Sequence, residues 1–113
     1  MELDSFGIPM LMEMARVWPD DSGLEVSAII LNGENLPHGP RIKVSTIKGG
    51  KVDKDHLISV TVDDDPKVIG SHKFSADDLN KIFQFVKLNK QTLHDHYYGK
   101  ISDKQALNQL VKV

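Results

Sequence analysis

The most regular hydrophobic pattern in the chain runs over residues 75–99 and predicts one long amphipathic helix. The apolar residues that recur at the spacing of one helical face are Leu79, Ile82, Phe83, Val86, Leu93 and Tyr97. Ser75 is a favourable N-cap, and Gly99 suits the left-handed residue that follows a helix. We therefore expect a helix with one apolar face, and we place Phe83 in the core beneath it.

A second, shorter helix is predicted near the end of the sequence. Ser102 and Gln105 have the three-residue spacing of a capping box, in which each side chain bonds the other's backbone amide. Leu107, Leu110 and Val111 give this segment an apolar face.

Before the long helix, apolar and polar residues alternate with the period of two that is typical of strands. The segments with this pattern are residues 24–31, 41–47 and 57–62, with a possible short fourth strand at 67–71. Turn-forming sequences separate them, including Asn32-Gly33 and Gly49-Gly50. We expect an α+β fold, in which a small antiparallel sheet of three to four strands is covered on one face by the long helix and the short final one.

The length of 113 residues fits one domain spanning residues 1–113. The first 23 residues are the least regular part. Met10, Met12 and Met14 alternate with other residues, as in a strand, whereas Pro9 suits the first turn of a helix. Residues 1–23 are predicted to form a short helix, with an edge strand or a flexible arm as the alternatives.

Composition excludes several classes of function. The formal net charge of −2 gives no global preference for nucleic acid, and no apolar run is long enough to span a membrane. The absence of cysteine excludes disulfides and thiolate chemistry. The acidic N-terminus does not resemble a signal peptide, so a cytoplasmic location is expected. No recognised catalytic, cofactor or metal signature occurs.

The candidate ligand-binding residues are His38, Arg41 and Lys43. Pro37, Gly39 and Pro40 restrict the backbone around His38, and Arg41 and Lys43 project from the same face of the following strand because they are two residues apart. Such a face suits a carboxylate or a phosphate. The alternative is a rigid loop that leads into a strand with a solvated outer face.

The other histidines and the acidic run give weaker signals. His94 and His96 are predicted to be surface residues at a helix end, because residues two apart lie on different helical faces. His56 and His72 lie apart in loops. The Asp63-Asp64-Asp65 run is interpreted as an acidic turn, since it lacks the glycine and the distal glutamate of a calcium loop.

The order of these segments, with Pro37-His38 opening a strand and Phe74-Ser75-Ala76-Asp77-Asp78-Leu79 opening a helix, resembles a small bacterial family of unknown function. Its members often carry a Pro-Pro-His-Phe-His loop and a leucine–tryptophan stretch at the end of a C-terminal helix. The resemblance covers residues 24–98 and implies an α+β domain, sometimes associated with toxin–antitoxin or mobile-element neighbourhoods. Gly39 and Pro40 depart from the family's loop.

We therefore expect a small interaction or regulatory domain of the prophage or toxin–antitoxin kind. It is expected to bind a protein partner or to form a homodimer. The alternative is a phosphodiesterase or nuclease-like enzyme in which His38 acts as acid or base and Arg41 with Lys43 binds phosphate. Nucleic-acid binding would require the local lysines, which are Lys43, Lys48, Lys51 and Lys54.

Overall fold

The centre of the protein is a five-stranded antiparallel sheet in which each strand pairs with the next one along the chain. This computed structural model describes residues 14–31, 33 and 39–113. The strands are β1 (Met14–Val17), β2 (Val26–Leu31), β3 (Arg41–Lys48), β4 (Leu57–Thr61) and β5 (Val68–Ile69). The predicted α+β class and antiparallel sheet are confirmed, with five strands instead of three to four.

The additional strand, β1, lies in the segment that the sequence left ambiguous. Met14–Val17 alternates half-buried and buried residues, and Ala15 and Val17 face the core. It pairs with β2, where Val17 lies opposite Ala28. For Met14–Val17 the structure shows the edge strand, which was one of the alternatives, and neither the short helix nor the arm. A one-turn helix, α1 (Pro19–Ser22), follows it. Residues 1–13 lie outside the described part of the chain.

A 3₁₀ turn at Lys54–His56 precedes β4, and three longer helices follow the sheet. They are α2 (Ala76–Leu88), α3 (Lys90–Tyr97) and α4 (Asp103–Gln109). Both predicted N-caps are confirmed: Ser75 accepts a hydrogen bond from the amide of Asp78, and Ser102 forms a capping box with Gln105. None of the helices in this part of the chain is long and apolar enough to cross a bilayer.

The predicted long helix is in fact two helices, divided at Asn89. The side-chain Nδ2 of Asn89 donates hydrogen bonds of 2.9 Å to the carbonyls of Phe85 and Val111, and its Oδ1 accepts one of 2.7 Å from the backbone amide of Val111. Asn89 adopts φ −107° and ψ 16°, outside the helical region. A buried asparagine whose side chain bonds backbone groups in this way competes with the hydrogen bonds of the helix. Here it also holds the C-terminal tail, which is residues 110–113, against the end of α2.

The hydrophobic core lies between one face of the sheet, which we call the core face, and the helices. The sheet contributes a layer of small and branched side chains that includes Ala28, Ile42, Val44, Ile58 and Val60. From the helices, the buried members are Ile82, Phe85, Val86, Leu93 and Ala106. Phe83, which was predicted to lie in the core, is only partly buried against it, and Phe85 is fully buried in its place.

Gly23 follows the last residue of α1 and lies against Val113 of the C-terminal tail. Its replacement by alanine is expected to destabilise the protein. Its φ is +82°, and a Cβ atom would lie 2.3 Å from the carbonyl oxygen of Val113. The amide of Val113 also donates to the carbonyl of Ser22 at 2.9 Å.

The matched control is Gly49→Ala, because Gly49 has φ +84° and no atom of the described residues lies within 4 Å of its Cβ position. Left-handed strain alone should lower the free energy of unfolding by about 1–2 kcal/mol in the control. Gly23→Ala should cost about 1–3 kcal/mol more through overpacking, as measured by urea denaturation. Equal losses in the two variants would contradict the contact with the tail.

Candidate anion-binding site

Two cations of β3 lie on the side of the sheet opposite to the core, which we call the second face. Ile42 and Val44 point into the core, so Arg41 and Lys43, which alternate with them, occupy the second face. Both cations are half-buried. The third predicted ligand-binding residue, His38, lies outside the described residues, so its proximity to Arg41 stays a prediction.

Lys43 is held across the sheet by its neighbour in β4. Its ammonium donates a hydrogen bond of 2.6 Å to the hydroxyl of Ser59, the residue that lies opposite it in the strand register. Burial lowers the pKa of Lys43, and the positive charge of Arg41 lowers it further. The two cations are therefore close enough to repel each other in a partly desolvated setting.

Arg41 extends towards the end of α3, where two buried polar groups lack partners. Its Nε is buried with no hydrogen-bond partner within the described ranges, and the same is true of the Tyr97 hydroxyl. Burial raises the pKa of Tyr97, while the charge of Arg41 acts in the opposite direction, which indicates that the two side chains are neighbours. A buried donor without a partner is unfavourable, so each of these two groups lowers the stability of the fold.

Neither cation is neutralised by a described residue. No acidic side chain in residues 14–31, 33 and 39–113 forms an ion pair with Arg41 or Lys43. An arginine donates two parallel hydrogen bonds to a carboxylate or a phosphate, and a lysine adds a point charge. The pair can therefore bind an oxyanion.

Arg16 and Trp18 of the N-terminal region share the second face, and the sequence reasoning missed both. In the register of β1, β2 and β3, Arg16 lies opposite Ile29, which lies opposite Lys43. The guanidinium of Arg16 stacks 3.7 Å from the centroid of the half-exposed Trp18 ring. The signal was the alternation of Met14–Val17, which places Arg16 on this face once the segment is assigned as a strand.

The lysines considered for nucleic-acid binding are engaged differently. Lys43 bonds Ser59, and Lys48 forms an ion pair of 3.4 Å with Glu25. Lys51 and Lys54 are exposed, and the positive charge of Lys51 contributes to the lowered pKa of Asp53. Lys48 is thus paired with an acid, which weakens the interpretation of the four lysines as one phosphate-binding stripe.

His96 is a buried residue, so its prediction as a surface histidine is wrong. It is 1% exposed, and its Nε2 lies 2.6 Å from an Asp103 carboxylate oxygen. The pair joins α3 to the first turn of α4, which explains why a histidine is accommodated at this position. His94 is half-buried and packs on the Tyr98 ring with 4.7 Å between centroids. Sequence spacing alone carries no signal for a pair seven residues apart across a turn.

The acidic run forms a turn in the structure. Asp63 accepts a hydrogen bond of 2.8 Å from the amide of Asp65, and Asp64 forms an ion pair of 2.9 Å with Lys90 of α3. Within the described part of the chain, no three His, Cys, Asp or Glu side chains are arranged to hold a metal ion.

In comparisons with known proteins, no protein-family model, no curated protein and no solved structure matches the chain. The resemblance to the family with the Pro-Pro-His-Phe-His loop therefore stays a prediction.

Proposed function

We propose that this chain is a small cytoplasmic interaction or regulatory domain that recognises an acidic group of a protein partner through Arg41 and Lys43. The observation that supports this proposal is the pair itself. Two half-buried cations lie side by side on the second face, and within the described ranges neither is paired with an acid.

An incoming carboxylate would improve the energetics of this site in two ways. It would offset the repulsion between Arg41 and Lys43, and it would accept charged hydrogen bonds from the Arg41 guanidinium and the Lys43 ammonium. Because the bound anion favours the charged ammonium, the pKa of Lys43 should rise on binding. Because the two cations are partly buried and repel each other, an anion should bind them with a more favourable free energy than it binds an exposed lysine.

The proposal predicts that a fluorescein-labelled hexaglutamate peptide binds the protein and that Arg41→Gln combined with Lys43→Gln weakens this binding. The dissociation constant should rise by about tenfold or more, because each lost charged hydrogen bond contributes on the order of 1 kcal/mol. Fluorescence anisotropy at low salt measures the effect.

The control is Lys104→Gln combined with Lys112→Gln, which removes the same charge from exposed positions in and after α4. This variant should bind the peptide within about twofold of the unchanged protein, since isolated exposed charges contribute little. The proposal is wrong if the unchanged protein does not bind, or if both double variants lose the same affinity.

The phosphodiesterase alternative requires His38, which the structure does not describe, so it stays a prediction. Self-association and a prophage or toxin–antitoxin context also stay predictions. For self-association through a sheet edge, β5 offers only two residues, Val68 and Ile69, and short edge strands pair poorly with a second chain.

A further inference from the structure

Two histidines that are far apart in the sequence line one cleft at the end of the sheet. The cleft has a volume of about 450 Å³, and the residues that line it are Thr46, His56, Ser71, His72 and Lys73. The strand register explains the meeting. Leu57 pairs with Ser45 and Ser59 pairs with Ile69, so continuing both ladders places His56 opposite Thr46 and opposite His72.

A hydrogen bond to Nδ1 of His72 determines which of its two ring nitrogens carries the proton. Its Nδ1 accepts a hydrogen bond of 3.1 Å from the amide of Phe74, and its ring packs 5.6 Å from the Phe74 ring between centroids. A nitrogen that accepts carries no proton, so the neutral ring has its proton on Nε2. With this hydrogen bond formed, His72 presents its Nε2–H as a donor.

His56 is oriented by an acid on its other side. Its Nδ1 lies 3.6 Å from a carboxylate oxygen of Asp53. The hydrogen bond from the Asp55 amide, assisted by His56 and Lys51, lowers the pKa of Asp53 and keeps it ionised. The carboxylate on the Nδ1 side orients the ring and leaves its Nε2 edge for a ligand.

The described lining of this cleft contains donors and positive charge but no acidic side chain. Lys73 supplies an ammonium, His72 supplies Nε2–H, and Ser71 supplies a hydroxyl. The Thr46 hydroxyl already donates to the carbonyl of His56 at 3.1 Å, which holds the 3₁₀ turn against β3. Such a set of donors matches the oxygens of a phosphate group.

We propose that this histidine cleft binds the phosphate group of a small phosphorylated molecule, with His56, His72 and Lys73 as the ligand-contacting residues. The cleft is larger than a phosphate alone requires, and its volume lies in the range of sites for small organic ligands. This site is separate from Arg41 and Lys43, which do not line it.

The test is an NMR titration of the histidine ring signals at constant ionic strength, with inorganic phosphate, AMP and adenosine as the probes. Phosphate and AMP should shift the His56 and His72 signals saturably below about 20 mM, which covers a site of millimolar affinity. AMP should bind more tightly than phosphate, and adenosine should shift neither signal to saturation.

Two variants probe the contacts, and two more serve as controls. Lys73→Gln and His72→Gln should each raise the dissociation constant for AMP by about tenfold. Lys73 is exposed, so its variant tests the site with little risk to folding. Lys87→Gln in α2 and His94→Gln in α3, both outside the cleft, should leave the constant unchanged.

Three results would overturn the proposal. The first is the absence of saturable shifts at His56 and His72 with phosphate and AMP. The second is equal binding by adenosine, which would assign recognition to the nucleoside. The third is an unchanged affinity in Lys73→Gln, or an equal loss in the control variants, which would indicate general charge attraction.

Discussion

Phe85→Ala is expected to lower the free energy of unfolding by about 3–5 kcal/mol, the usual effect of deleting a buried aromatic ring. Phe85 is 0% exposed and packs in the core between the sheet and α2, beside Ile82 and Val86. The deletion removes the ring from the apolar core and leaves a cavity that the surrounding strands fill only in part. Urea denaturation, with the midpoint and slope analysed together, measures the loss.

Phe83→Ala is the matched control, because the two residues have the same side chain in the same helix and differ in burial. Phe83 is only partly buried against the core, so its replacement should cost about 1–2 kcal/mol. An equal or larger loss for Phe83→Ala would show that the core lies under the other face of α2, as the sequence pattern alone suggested.

Asn89→Ala is the second large effect, with an expected loss of about 2–4 kcal/mol in the free energy of unfolding. The substitution removes three hydrogen bonds, one to Phe85 and two to Val111. It also leaves backbone groups of the C-terminal tail without partners in a region where Asn89 is only 3% exposed. Alanine favours the helix, so the loss measures the tail contacts and not helix propensity.

Hydrogen exchange gives this prediction a local readout. The amide of Val111 donates to Asn89 at 2.7 Å, and its exchange should accelerate in Asn89→Ala more than the exchange of the amides of β3. The control is Asn80→Ala at an exposed position of α2, which should change stability by about 0.5 kcal/mol or less. If Asn89→Ala resembles Asn80→Ala in both measurements, the tail does not depend on this side chain.

Features set by neighbouring residues were predicted well. The Ser75 and Ser102 caps and the strands β2, β3 and β4 all depend on residues within a few positions of one another. The division of the long helix at Asn89 was not predicted. Its side chain bonds Val111, which is 22 residues further along the chain, and local sequence patterns carry no information on such a contact.

In the candidate sites too, some features follow from local sequence and others depend on packing. That Arg41 and Lys43 share a strand face follows from their spacing, and the structure places them so. The desolvation of Lys43 and the lack of a partner for Arg41 Nε depend on how the chain buries them. The approach of Arg41 to Tyr97, a residue distant in the sequence, likewise depends on packing. The cleft of His56 and His72 follows from strand pairing across two ladders, and neither histidine carries a local signal.

By itself the sequence determined the α+β class, most of the elements and the face on which the β3 cations lie, because periodicity and capping are short-range properties. Only the tertiary structure decided the strand role of Met14–Val17, the division of the long helix, the choice of Phe85 over Phe83 and the meeting of two histidines. Each of these depends on which distant segment supplies a hydrogen bond or excludes water, and that is settled only when the chain packs.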